Sequence, residues 1–315
     1  MENIANKHTL INHRIEVGAH GFIELDDFMG DDNAVVRAAR TSTGGAIKTP
    51  KEDAALIHYL MEHRHDTPFE MCEVKFTVRL PIDVARQWVR HRTFSINEYS
   101  GRYAVMIDEC DSIGANEWRM QNNVNKQGSD GFLLADIGEK LSAEELALQT
   151  YARAVYENRL AAGVSREQAR RDLPLCTYTQ MVWKGNLRNL LHFLHLRMDA
   201  HAQAEIQEFA IKMYEVFVKP LFPVTCDAWE NFVRDAVTFS RDEQALIMSL
   251  IDVGVTIFPN DKALADIKCR ELYKQYGILD ENGVVSNRRK AKSFVDRVDK
   301  IGIHHYGLLF NYKKV

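Results

Sequence analysis

Apolar and polar residues alternate along this chain with two different periods, and the points where the period changes divide it into elements. Val74, Phe76, Val78 and Leu80 interleave with Glu73, Lys75, Thr77 and Arg79, the period of two that predicts a strand with one buried face. Upstream, Leu56, Leu60 and His63 recur at helical spacing behind Thr49-Pro50-Lys51-Glu52. That tetrad is a capping box with proline at the first helical position, so a helix is expected from Thr49 to about His63. Pro81 closes the strand and opens a short helix through Arg90. From about Asp108 to Gly138, Gly, Asn and Asp occur without a steady period, which reads as a long irregular connection.

Helical periods then dominate. Ser142 to Glu145 predicts a capped helix running to Gly163, and Ser165 to Gln168 a short one stopped before Pro174. Residues 175–183 read as extended. Asn186 is the expected N-cap of a long amphipathic helix through Leu187, Leu190, Leu191, Leu194, Ile206, Phe209 and Met213 to about Val218, with Pro220 just beyond. Ser240 to Glu243 caps a further helix, and Asn260 starts another that ends at Gly277. The organisation expected is a catalytic domain over 1–232 and a mainly helical C-terminal extension over 233–315, with no repeat or low-complexity run.

Composition narrows the classes. Of 315 residues, 46% are hydrophobic and 10% aromatic, and 40 Lys and Arg face 44 Asp and Glu for a net charge of −4. A disordered chain would lack the apolar content, and a protein that wraps a polyanion would be strongly basic. No apolar block of the length of a membrane span occurs, and the N-terminal segment has no leader pattern, so a cytoplasmic protein is expected. Cys72, Cys110, Cys176, Cys226 and Cys269 are scattered. Their spacing fits neither a disulfide framework nor a zinc site, and none stands where a thiolate nucleophile would be expected. The tail after 230 is locally basic, with Arg288, Arg289, Lys290 and Lys292 together, a pattern read first as a solvated face.

The densest chemistry runs from Arg86 to Tyr103, RQWVRHRTFSINEYSGRY. Arg86 and Arg90 stand four apart on one helix face, and Arg90, His91 and Arg92 lead into a loop of hydroxyl, amide and carboxylate groups. Guanidinium groups clamp phosphate oxygens, and the backbone around Ser100 and Gly101 permits close approach. Three readings stay open on these residues alone: a basic surface, a nucleotide or phosphate site, and nucleic-acid contact. The mixture of donors and acceptors suits one small ligand better than the uniform positive field that tracks a phosphate backbone.

RHRTFSINEYSGRY at 90–103 resembles the RHRxxSxNExSxRY signature of the flavin-dependent thymidylate synthases, with every fixed position present. HDTPFE at 65–70 and the blocks between 165 and 206 agree, and the resemblance covers about residues 20–232. It implies an α+β fold, a twisted and mainly antiparallel sheet with packed helices, non-Rossmann in keeping with the missing GxGxxG fingerprint. It implies a homotetramer with active sites between subunits. The reaction implied is reductive methylation of dUMP to dTMP, with methylenetetrahydrofolate as carbon donor and NADPH as reductant through FAD. No cysteine nucleophile is needed, and no metal, nucleic acid or membrane partner is implied.

Carried over by resemblance, the flavin would lie against Thr67, Glu70, Arg90, His91, Arg92, Glu98, Asn186, Arg188 and His192, with His65 near flavin and folate. His192 stands where relatives have asparagine, and both side chains offer a donor. The dUMP positions would be Gln87, Arg90, Glu98, Tyr99, Ser100, Gly101, Arg102, Arg170 and Arg197. Arg197 is the expected catalytic residue, its guanidinium favouring ionisation at N3 of the uracil. Two other classes compete. His65-Asp66 with His192, His195 and Asp199 at i, i+3 and i+7 suggests a metal-dependent phosphohydrolase of the HD type. RQWVRHR with Trp88 and Trp183 suggests a nucleic-acid-binding protein, although both tryptophans read more readily as core.

Overall fold

The computed structural model describes residues 7–42, 44–45, 49–123, 128–256, 262–286 and 288–300. In chain order the elements are β1 (Arg14–Val17), β2 (Gly21–Met29), α1 (Asp32–Thr41), α2 (Pro50–Glu62), β3 (Glu73–Pro81), α3 (Ile82–Trp88) and β4 (Ser95–Glu98). There follow β5 (Arg119–Gln121), β6 (Ser129–Phe132), α4 (Ala135–Ala161), β7 (Tyr178–Asn186), α5 (Leu187–Arg197), α6 (Ala204–Met213) and α7 (Pro223–Trp229). Five strands form one antiparallel sheet in the order β1-β2-β3-β7-β4. This is the expected α+β fold.

The alternation in β3 carries through to burial. Val74, Phe76, Val78 and Leu80 are fully enclosed, while the intervening residues stay half-buried. The buried face packs against α5 and α6 in a core that includes Trp88, Trp183, Phe193, Phe209 and Phe217. Thr49 caps α2 with a complete capping box, reciprocated by Glu52, and Asn186 Oδ1 accepts from Asn189 N at 2.9 Å to cap α5. Each such cap satisfies backbone N–H groups that the first helical turn leaves unpaired.

Three sequence expectations change. The connection from 108 to 138 holds the β5–β6 hairpin, and α4 begins at Ala135 rather than at Ser142. Ser142 does not cap it. Its hydroxyl accepts from Trp118 Nε1 at 3.0 Å and donates to Ile113 O at 2.7 Å, tying the helix to the preceding loop. The short helix after Ser165 covers Arg166–Ala169 and has no side-chain cap bond. The long helix expected from 186 to 218 stops at Arg197 and restarts at Ala204. Asp199 breaks it by taking the backbone N–H of His201 at 2.8 Å, a local bond that competes with the helical ladder. Gln207 Nε2 then donates to Asp199 O at 2.8 Å and Met198 O at 3.3 Å, satisfying carbonyls at the break.

The chain divides into two compact units, residues 1–121 with 127–234, and residues 122–126 with 235–315. The second contains α8 (Arg241–Thr256), α9 (Lys262–Gln275) and α10 (Arg288–Lys300) around Leu246, Leu250, Tyr273, Ile278 and Phe294. Ser240 and Glu243 cap α8 reciprocally, at 3.3 and 2.8 Å. Asn260, the expected start of α9, lies outside the described residues, as do the side chains of Arg288, Arg289 and Lys290.

Candidate active site

The site begins with a tryptophan that holds a helix end in place. Trp88, the last residue of α3, is fully buried, with its ring centroid 4.6 Å from Phe193 and 5.3 Å from Trp183. Pinning that end leaves Arg86, Arg90 and Arg92 exposed while His91 is buried. Phe94 then stacks on Trp183 with centroids 3.9 Å apart. The stacking needs Gly185 beneath it, because a Cβ at that position would lie 2.2 Å from the Phe94 ring. β4 leaves this anchor and pairs with β7, and Glu98 Oε1 accepts from Thr179 Oγ1 at 2.8 Å.

Beyond β4 the chain turns at Ser100, whose carbonyl accepts from Tyr103 N at 3.1 Å and whose Oγ accepts from Arg102 N at 3.3 Å. Gly101 is buried at the turn. A Cβ there would meet Met106 Sδ at 2.2 Å and Arg170 Cδ at 3.1 Å, so the glycine is what lets Arg170 lie against the backbone. Arg102 pairs with Glu167 at 3.3 Å, an exposed pair, and the Tyr99 hydroxyl donates to Val105 O.

Arg197 occupies a different environment. Its Nε donates to His91 Nε2 at 3.0 Å and its Nη2 to Gln87 O at 3.2 Å. Two bonds at different atoms of a planar fork determine its orientation. Burial, then the neighbouring Arg197 and His192, lowers the His91 pKa to about 4. The imidazole is therefore neutral near pH 7 and accepts on Nε2. Burial also lowers the pKa of Arg197 from its ordinary value, and a guanidinium stays charged in proteins.

The remaining expected residues gather around the start of α5. Arg188 donates through Nε and Nη2 to Asp66 Oδ2, both at 3.1 Å, which joins the 65–70 block to the 186–192 block. Leu187 N donates to Cys72 O at 2.9 Å and supports the same junction. His65 sits with its ring 5.8 Å from Tyr59, and Thr67 and Glu70 lie in the short helix Thr67–Met71. The His192 ring is 6.1 Å from that of His91, which links this group to the arginine-rich segment. The Asn186 side-chain oxygen is committed to its cap, leaving the NH2 for other partners. Among the described residues, no hydrogen bond or ion pair connects the Gly101–Arg170 group with the Arg197–His91 group.

Charge is unevenly compensated here. Arg102, Arg188 and Arg197 have partners, whereas Arg86, Arg90 and Arg92 have no hydrogen-bond or ion-pair partner among the described residues. Three uncompensated guanidinium groups within seven residues concentrate positive charge that an anion can meet. Sequence reasoning passed over Thr179 and Gln203, and weighed Asp66 only as a metal ligand rather than as the partner of Arg188. Asp66 and Gln203 lie inside the blocks that carried the resemblance, but nothing local marks what they touch.

The competing classes lose their geometric basis. α5 ends at Arg197, so Asp199 leaves the helix face shared by His192 and His195, and its Oδ1 pairs with His201 Nδ1 at 2.8 Å. Among the described residues no three His, Cys, Asp or Glu side chains converge as a metal site would require. Trp88 and Trp183 have no exposed face on which a base could stack. Burial pushes the thiols of Cys72, Cys176 and Cys226 up to about 12, so these three are protonated at neutral pH. Among the described residues no helix is long and apolar enough to cross a membrane.

Comparisons with known proteins give the family and the fold. The family model described as "Thymidylate synthase complementing protein" matches residues 24–224. The chain is 46% identical over 282 residues to a flavin-dependent thymidylate synthase of Gluconobacter oxydans, covering 88% of this chain and 91% of that relative. It is 46% identical over 247 residues to one from Thermus thermophilus, covering 78% and 88%. Among solved structures it resembles the UMP/dUMP methylase PolB of Streptomyces cacaoi bound with 5-Br dUMP. The TM-score is 0.63 at 34% identity, over 70% of this chain and 99% of that one.

Proposed function

The chain belongs to the flavin-dependent thymidylate synthase family, and from that premise we propose how its residues divide the methylation of dUMP to dTMP. FAD is the flavin, NADPH the reductant and methylenetetrahydrofolate the carbon donor. The donor set suits a flavin dinucleotide. Arg90 and Arg92 bring uncompensated charge for a pyrophosphate, while Thr67, the Asn186 amide and His192 add neutral hydrogen-bonding groups, with His65, Glu70, His91, Glu98 and Arg188 around them. When bound, the flavin supplies the redox chemistry between NADPH and the pyrimidine.

The chain's own residues orient and polarise. Ser100, Gly101, Arg102 and Arg170 form a turn and a cation for the nucleotide phosphate. Gln87, Arg90, Glu98 and Tyr99 line the approach. Arg197, with Nε on His91 and Nη2 on the Gln87 carbonyl, has its remaining N–H groups for the uracil edge. There a permanent charge favours the N3-ionised pyrimidine. The observation that carries this reading is the oriented Arg197 fork beside three uncompensated arginines.

The working form is a homotetramer with shared sites, and its support is the exposure of Tyr103, Leu134 and Tyr151 at 80%, 71% and 71%. Residues 1–232 are the catalytic domain and the helices from 233 an extension. The protein works in the cytoplasm, where dUMP and NADPH are held. Tritium release from C5-labelled dUMP tests the reaction. Release is expected only with FAD, NADPH and methylenetetrahydrofolate together, and its absence from protein that binds both flavin and dUMP would overturn the reading.

A further inference from the structure

Helix α2 closes with two backbone bonds, from His65 N to Leu60 O at 2.8 Å and from Arg64 N to Met61 O at 3.2 Å. Together they form a Schellman motif, in which the residue after the cap takes a left-handed conformation and is usually glycine. Here His63 is the cap and that residue is Arg64, at φ 55°. Among the described residues the other non-glycine residue with positive φ is Asn12, a type whose short side chain tolerates it. An arginine lacks that tolerance, and the left-handed backbone costs more than an exposed cation gains from the helix dipole. The cap alone therefore does not account for an arginine. Arg64 is exposed, and its side chain has no hydrogen-bond or ion-pair partner among the described residues. The neighbouring Glu62 carboxylate lies 4.0 Å from His63 instead.

Arg64 stands between two members of an open aromatic group. The His63 ring stacks on that of Tyr59 with centroids 4.1 Å apart, and its Nδ1 lies 2.9 Å from Tyr59 O. The His65 ring is 5.8 Å from Tyr59 and 6.1 Å from His63, and all three residues are exposed. Aromatic rings beside an unpaired cation suit a ligand that joins a planar heterocycle to an anionic group. Both co-substrates of the proposed reaction have that form, since methylenetetrahydrofolate carries carboxylates and NADPH carries phosphates. We propose that Arg64 determines co-substrate specificity by taking an anionic group of the molecule whose ring enters beside His65. A planar guanidinium matches paired oxygens of either anion. Stability given up at the end of α2 serves binding. The inference rests on the proposed place of His65 near flavin and folate.

The test uses Arg64→Gly, Arg64→Lys and His65→Ala, measuring KM for NADPH and for methylenetetrahydrofolate, flavin content and melting temperature in each. Glycine is the residue that the motif favours, so Arg64→Gly is expected to melt no lower than the wild type and to retain flavin. Its KM for at least one co-substrate is expected to rise about tenfold, because one charge-assisted contact is gone. A rise with NADPH assigns the anion as a phosphate, and a rise with methylenetetrahydrofolate as a carboxylate. Arg64→Lys keeps the charge and is expected to stay within about threefold of the wild type. Both KM values unchanged within about twofold in Arg64→Gly, or Arg64→Lys no better than Arg64→Gly, would overturn the assignment. If His65→Ala leaves both KM values unchanged, His65 lies away from the co-substrates and the reading beneath the inference fails. If His65→Ala raises a KM and Arg64→Gly does not, only the role of Arg64 fails.

Discussion

Arginine appears in this molecule in two settings that differ in what surrounds the same side chain. Arg197 is partly buried, and its fork is tied to a neutral histidine and a backbone carbonyl. Arg86, Arg90 and Arg92 are exposed and meet no partner among the described residues. The tied arginine is held in one orientation by those two bonds, so it suits charge that develops at one place. The exposed ones keep most of their hydration and can adjust to an anion that arrives with several oxygens. Preorganisation and capture are thus separated along one short stretch of chain and the helix that crosses it.

The largest effect should come from breaking the preorganised member. Arg197→Lys keeps the charge but loses the planar fork held by His91 and Gln87, and kcat is expected to fall about 10²- to 10³-fold with flavin still bound. Steady-state turnover beside the flavin absorbance decides this, and near-normal kcat would remove Arg197 from the chemistry. Arg90→Ala should strike binding instead. About a tenfold to hundredfold loss of affinity for flavin or dUMP is expected, with a shallower dependence on ionic strength than the wild type, because one anion contact is gone. Titration at two salt concentrations reads both.

The histidine behind Arg197 provides a pH test. His91 has a folded pKa of about 4 against an ordinary 6.5, so the unfolded chain binds a proton between those values that the folded chain does not. Stability contributed by keeping His91 neutral is complete above 6.5 and is lost as the pH falls towards 4. The loss is on the order of 1–3 kcal/mol. Denaturant melts across that range should show it, and His91→Gln should flatten it while keeping an acceptor for Arg197. An equally steep profile in that variant would assign the acid sensitivity elsewhere. The smallest effect concerns Arg188, which has a partner but no enclosure. Asp66→Asn should change stability by less than about 1 kcal/mol, since both side chains of that pair are more than two-fifths exposed. A larger change in a denaturant melt would show that the pair does more than join two surface blocks.

Parts of this architecture were legible in the sequence because their causes are local. The alternation in β3 follows from side chains that point to opposite faces of a strand. The caps at Thr49, Asn186 and Ser240 follow from backbone N–H groups within reach of a residue three positions earlier. The segment 90–103 could be identified because its chemistry is contiguous. Asp199 was misread as part of a helix face because its effect depends on competition with a helix whose remaining period was intact. Ser142 was misread as a cap because its partners, Trp118 and Ile113, lie more than twenty residues away in the chain.

The sequence by itself therefore determined the alternation in β3, the helix starts at Pro50, Ile82, Leu187 and Arg241, the family resemblance and the supply of cations. Each of these depends on neighbours in the chain. Only the tertiary structure decided that His91 turns inward to hold Arg197, that Arg188 closes on Asp66, and that Gln203 meets Gln87. Those pairings span 106, 122 and 116 positions. They exist because the tryptophans at 88 and 183 pack α3, β7 and α5 into one core. Hydrophobic burial brought the polar partners within hydrogen-bonding distance, and no spacing in the chain encodes that distance.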